Sequence, residues 1–196
     1  MPGRLPLLLI LLAALAPPAG AADLGEALRY HEYRDYDTAF ALFMELAEEG
    51  DTAAQANVGY YYDNGLAVAR DAGEAARWYR LAAEGGNVTA QYNLGILYES
   101  GDGVPRDYTA AFRWFRAAAE QGDTHACIQV GLFLEEGLGR EQDPVGAYAW
   151  YYAAAQAGDR AGMQKMQQVG AGLDAAARQR ATAEGERIVA RLRAGR

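Results

Sequence analysis

AQYNLGILYESGDGVPRDYTAAFRWFRAAAEQG, residues 90–122, is one copy of a text that the chain writes three times. Set 54–89 over 90–125 without a gap and 17 of 36 positions are identical. The block 126–161 keeps the frame, aligning Gly59 with Gly95 and Gly131, Asp71 with Asp107 and Asp143, and Trp78 with Trp114 and Trp150. A fixed period of 36 residues marks a solenoid, in which each unit buries its apolar face only by stacking on its neighbours.

Each unit reads as two helices. Asp51, Asn87, Asp123 and Asp159 each follow a glycine and open an apolar-periodic stretch, which is the punctuation of one helix ending and the next being capped. The first helix is expected over about 54–63, ending at Asn64-Gly65. Asp71 starts the second, with Glu74 placed to complete a capping box, and Pro144 suits the first turn in the third unit. The second helix carries Ala75, Trp78, Tyr79, Ala82 and Ala83, an apolar stripe at spacings of three and four. Gly59, Gly95 and Gly131 fall in mid-helix, where glycine costs about 1 kcal/mol against alanine. Its recurrence implies close helix approach, with Trp78, Trp114 and Trp150 filling the space between units. Trp114, in the middle unit, is expected to matter more for stability than Trp150, whose end unit can fray.

On these residues the chain resembles the Sel-1-like repeats, relatives of the tetratricopeptide repeats. The resemblance covers roughly 25–169 and implies an all-α, right-handed α-solenoid of antiparallel helix pairs. The expected organisation is an N-terminal half-repeat over 22–53, repeats over 54–89, 90–125 and 126–161, and a degenerate repeat with a capping helix over 162–196. The resemblance also implies protein–protein adaptor work, often in the bacterial periplasm.

The ends of the chain set the compartment and the charge. Arg4, an apolar run over 5–16, Pro17-Pro18 and Ala19-Gly20-Ala21 form a secretory signal pattern over 1–21. The run is shorter than the roughly 20 residues a membrane-spanning helix needs. Without that segment, 17 basic residues face 26 acidic ones, a net of −9, which repels phosphate backbones and argues against nucleic acid. The stretch 174–196 is the exception, with six arginines against three carboxylates. Two readings of it stand, a solvated helix face and a contact with a partner or membrane surface.

No catalytic, cofactor or metal constellation emerges. His125 and Cys127 are two residues apart, which turns them to different faces of a helix. Cys127, the single cysteine, fills a slot held elsewhere by Gln55 and Gln91, and Ser100 reads as a turn residue. The loop Gly101-Asp102-Gly103 lacks the Lys-Ser or Lys-Thr of a phosphate cradle. The expectation is therefore a protein without enzymatic activity.

In tetratricopeptide-like solenoids the first helices line the concave face. Carried over by the repeat frame, that face here holds Ala56, Tyr60, Asp63 and Asn64, then Tyr92, Ile96, Glu99 and Ser100, then Ile128, Leu132, Glu135 and Glu136. The stripe is apolar and aromatic with a row of carboxylates, Asp63, Glu99 and Glu135, at one repeat position. A self-repelling row of this kind suits a basic or amphipathic protein segment. The alternatives are that Ile96 and Leu132 pack against neighbouring helices, or that the chain is a cell-wall-associated binder or regulator of envelope enzymes touching glycan through Tyr60 and Tyr92. A hydrolase ranks third for want of a nucleophile and base.

Overall fold

A computed structural model describes residues 23–195, so the export segment expected over 1–21 lies outside the described residues. Every element described is a helix: α1 (Leu24–Glu32), α2 (Tyr36–Glu48), α3 (Thr52–Asn64), α4 (Ala72–Glu84), α5 (Val88–Ser100), α6 (Tyr108–Glu120), α7 (Thr124–Glu136), α8 (Pro144–Gln156), α9 (Arg160–Gly172) and α10 (Ala175–Ala194). Successive helices from α1 to α9 pack in chain order, pair upon pair, as an α-solenoid. The segment expected as an opening half-unit holds two helices, α1 being nine residues long against thirteen for α2.

The caps fall where the side chains dictate. Asp51, Asn87, Asp123 and Asp159 each accept a bond from the backbone N–H three residues on, at 2.7–2.9 Å. At the second helices the capping box forms only by half. Asp71 accepts from the N–H groups of Gly73 and Glu74, but the Glu74 carboxylate turns outward to Arg77, at 2.8 Å. The reason is that the Asp71 N–H already donates to the Tyr62 carbonyl at 2.9 Å, leaving Glu74 nothing to cap. The same bond runs from Asp107 to Tyr98 and from Asp143 to Leu134, tying the start of each second helix to the end of the first.

The mid-helix glycines make room for rings, though not those of the tryptophans. A Cβ on Gly59 would stand 2.7 Å from Tyr79, one on Gly95 2.7 Å from Phe115, and one on Gly131 2.5 Å from Tyr151. These rings, each one position after the tryptophan, are fully buried in the core. Trp78 and Trp150 are also buried, 6 % and 9 % exposed, whereas Trp114 is only partly buried at the edge of the middle cluster. Burial thus runs opposite to the stability order expected from end fraying, because α10 folds back onto α8. Gly185 admits the Tyr152 ring, and Ile188 joins Trp150 in the C-terminal core, so the last full unit is covered.

Buried glutamines stitch the units. Gln55 donates to the Ala47 carbonyl and Gln91 to the Ala83 carbonyl, both at 3.2 Å, each reaching back to the preceding second helix. Cys127 takes this slot in the third unit with only a weak thiol contact to the Ala119 carbonyl.

Candidate functional site

The first helices leave part of their surface uncovered, and the expected groove residues divide there into three kinds. Tyr60 and Ile96 are exposed, 41 % and 37 %, as are Asn64, Ser100 and Glu136. Tyr92, Ile128 and Leu132 are half-buried; Tyr92 rests on Phe115 and His125, and Ile128 packs on the C-terminal core. Ala56 is buried at the floor. The anchors facing solvent are therefore Tyr60 and Ile96, while Tyr92 serves mainly the packing.

A recess of about 390 Å³ opens beside Tyr60, walled by α1, α3 and α5. Its lining is more polar than expected. His31, Asn57, Thr89 and Asn93 face it, none of them among the groove positions expected from the repeat frame. The His31 Nδ1 lies 2.9 Å from the hydroxyl of Tyr61, a phenol pushed up to about 12 first by burial and then by Tyr36 and Tyr60. Asn57 and Asn93 occupy one repeat position, and that recurrence of a polar residue was the available signal. Asn57 returns its amide to the Ala53 carbonyl at 2.8 Å.

The carboxylate row is not a uniform repelling line. Asp63 is paired with Arg70 at 3.5 Å, and Arg70 reaches onward to Asp102 of the next unit. Burial still outweighs Arg70, so the Asp63 carboxyl sits above its usual range. Glu135 accepts from the Tyr151 hydroxyl at 2.7 Å and from Lys165 at 3.3 Å. Glu99, between them, has no ion pair among the described residues. Arg106, at the repeat position of the Arg70 that serves Asp63, lies over the Tyr108 ring instead of pairing with Glu99. Phe115 stands where the other units place a tyrosine hydroxyl, and Gln129 stands where Lys165 serves Glu135. The Gln129 Oε1 is itself buried without a hydrogen-bond partner. Burial first, and the neighbouring Glu136 second, hold the Glu99 carboxyl above the ordinary value. The expectation of three equivalent charges is corrected: Asp63 and Glu135 each have a cation partner, and Glu99, one turn from Ile96, has none among the described residues.

Among the described residues no base is hydrogen-bonded to the Cys127 thiol, which contacts the Ala119 carbonyl. The side chain is 2 % exposed, and burial followed by Asp123 pushes its thiol up to about 12, so almost none is thiolate at neutral pH. Ser100 donates to the Ile96 carbonyl at 2.9 Å, closing the end of α5. Among the described residues no group of three or more His, Cys, Asp and Glu side chains is placed to hold a metal, and no helix is long and apolar enough to cross a membrane.

Comparison with known proteins agrees with this architecture. The family model described as Sel1 repeat matches residues 52–87, 88–123 and 124–159. Among solved structures, a protective antigen present in uropathogenic Escherichia coli strains, displaying an SLR fold, superposes with a TM-score of 0.74 at 29% identity. That match covers 86% of this chain and 41% of the other, so the chain spans less than half of that relative. A Sel1 repeat protein from Oxalobacter formigenes superposes with a TM-score of 0.72 at 31% identity, covering 88% of this chain and 69% of its own. A search of curated proteins returns no significant match.

Proposed function

The chain belongs to the Sel1 repeat family, whose scaffolds generally mediate protein–protein interaction and are typically non-catalytic, and from that premise we propose that it is an exported, periplasmic scaffold gripping a basic or amphipathic protein segment on the first-helix face. The observation that carries this reading is Glu99. It is a partly buried carboxyl without an ion pair among the described residues, set one turn from the exposed Ile96. A lysine or arginine from a bound segment supplies the donors that Lys165 and Tyr151 supply to Glu135. Ile96 and Tyr60 offer the apolar and aromatic contact that dominates such interfaces. Periplasmic location rests on the leader pattern over 1–21.

The test uses an amphipathic lysine-bearing peptide with a fluorescent label. Binding should weaken when Glu99 becomes lysine, weaken with less salt dependence when Ile96 becomes alanine, and fall with rising salt in the wild type. Equal affinity in all three proteins sinks the groove reading. Sequencing of the exported chain should begin at Ala22 or Asp23, and a mature protein that still begins at Met1 sinks the export reading.

A further inference from the structure

A second recess of about 400 Å³ lies away from the first-helix groove, between the second helices α6 and α8 and the back-folded α10. Five arginines surround it, Arg116, Arg140, Arg180, Arg187 and Arg191, against the two carboxylates Asp143 and Glu184. This concentration of cations is unexpected in a chain of net charge −8. The Asp143 carboxylate is committed to the N–H of Gly146 at the start of α8. Arg116 pairs with Glu120 and Arg187 with Glu184, each at 2.8 Å, and Arg140 lies over the Phe112 ring at 4.3 Å. Arg180 and Arg191 have no ion pair among the described residues. The recess is therefore a walled cleft with surplus positive charge, and Trp150 and Ile188 lie in its wall.

We propose that this cleft is a second binding site, one that takes an extended acidic peptide segment of a protein partner. Geometry favours a chain over a single ion. Along α10 the rise of 1.5 Å per residue spreads Arg180, Arg187 and Arg191 over about 16 Å. Arg187 and Arg191 stand about 6 Å apart along the axis, close to the roughly 6.7 Å between alternate residues of an extended strand, whose side chains share a face. The volume would hold about a dozen waters, at roughly 30 Å³ each, which is more than one phosphate fills. A lipid surface suits the cleft less well, because a flat array of headgroups meets only the rim of a recess. Planar guanidiniums bind carboxylates in bidentate fashion, and the half-enclosed setting strengthens each pair. The bound segment would run along α10, on the side of the repeat away from Glu99, so the scaffold can hold a basic and an acidic segment at once.

The probe is a labelled (Glu-Ser)6 peptide, with (Lys-Ser)6 as the charge control, and the readouts are fluorescence anisotropy and tryptophan emission. The full chain should bind the acidic peptide and not the basic one at this cleft, with affinity falling as salt rises. Arg180→Glu with Arg191→Glu should weaken binding about tenfold or more, as expected for losing two charge-assisted contacts. The neutral pair Arg180→Gln with Arg191→Gln should weaken it less while leaving the melting curve unchanged, which separates a lost site from a lost fold. Glu99→Lys, on the other face, should leave acidic-peptide binding unaltered, so failure of the first-helix groove and failure of this cleft are distinguishable. Acidic-peptide affinity unchanged in both arginine pairs overturns the proposal. So does full competition by inorganic phosphate at matched ionic strength, or arginine-dependent binding to phosphatidylglycerol vesicles in preference to the peptide.

Discussion

Gly95 carries the ring of Phe115: a Cβ on the glycine would stand 2.7 Å from the Cδ1 and Cε1 carbons of a side chain that is fully buried. Alanine there gains about 1 kcal/mol of helix propensity. It also overpacks the seam between α5 and α6, which typically costs about 1–3 kcal/mol. The second effect should win, and Gly95→Ala should lower stability in urea by about 1 kcal/mol. Adding Phe115→Leu, which gives the methyl room, should recover part of the loss. A Gly95→Ala chain more stable than wild type would mean that the seam has slack.

The tryptophans should rank by burial. Trp150, on α8 beneath the back-folded α10, should cost about 3–5 kcal/mol on truncation to alanine. Trp114, only partly buried, should cost distinctly less. Thermal melts of the two variants decide the order, and a larger loss at Trp114 would show that α10 does not cover the last unit in solution.

Glu99 should make the protein weakly acid-stabilised at this position. Its carboxyl is raised above the ordinary 4.5, first by burial and then by Glu136, so the native chain holds its proton to higher pH than the unfolded chain does. Stability from this group is present below that ordinary value and is lost as pH rises through the raised one. Glu99→Gln should therefore match or exceed wild type at pH 7, by no more than about 1 kcal/mol given solvent screening. The difference should vanish below pH of about 4. A glutamine variant clearly less stable at pH 7 would mean that Glu99 has a cation in solution.

Glu135 should answer differently from Glu99. Charge reversal to lysine there leaves the buried Tyr151 hydroxyl without its acceptor and sets two cations side by side with Lys165. A loss of about 1–3 kcal/mol is expected. Glu99→Lys should change the melt little. If both reversals leave the melting temperature alone, the bonds at Glu135 contribute nothing measurable.

Ala67 occupies the repeat position of Gly103 and Gly139 and shares their left-handed backbone, with φ of 58° against 70° and 67°. That conformation costs an L-residue about 1–2 kcal/mol. Glycine relieves it but frees the unfolded chain by about 0.4–1 kcal/mol. Ala67→Gly should thus stabilise by up to about 1 kcal/mol, read as a shift of the urea midpoint at constant slope. A loss would show that the loop relaxes away from this backbone.

Much of the architecture was legible in the residues themselves. The period of 36, the capping Asp and Asn residues and the glycines that close α3, α5 and α7 are local signals, each complete within a few positions and repeated three times. They determined the helices, their order and the stacking of pairs. What the tertiary structure alone decided lies in contacts between separate elements, from seven positions apart for Asp63 and Arg70 to 33 for Tyr152 and Gly185. The rings over the glycines proved to be Tyr79, Phe115 and Tyr151, because the choice between adjacent aromatic residues depends on how two helices rotate against each other. The row of carboxylates looked uniform because its pairing does not follow the repeat: Arg70 recurs as Arg106, which lies over Tyr108 instead, and Lys165 has no lysine at the matching positions 93 and 129. The arginines of the C-terminal stretch read equally well as a solvated face. They became the wall of a cleft only because α10 turns back onto α8, a docking set by the fit of Gly185 to Tyr152 and of Ile188 to the core, which no periodicity encodes.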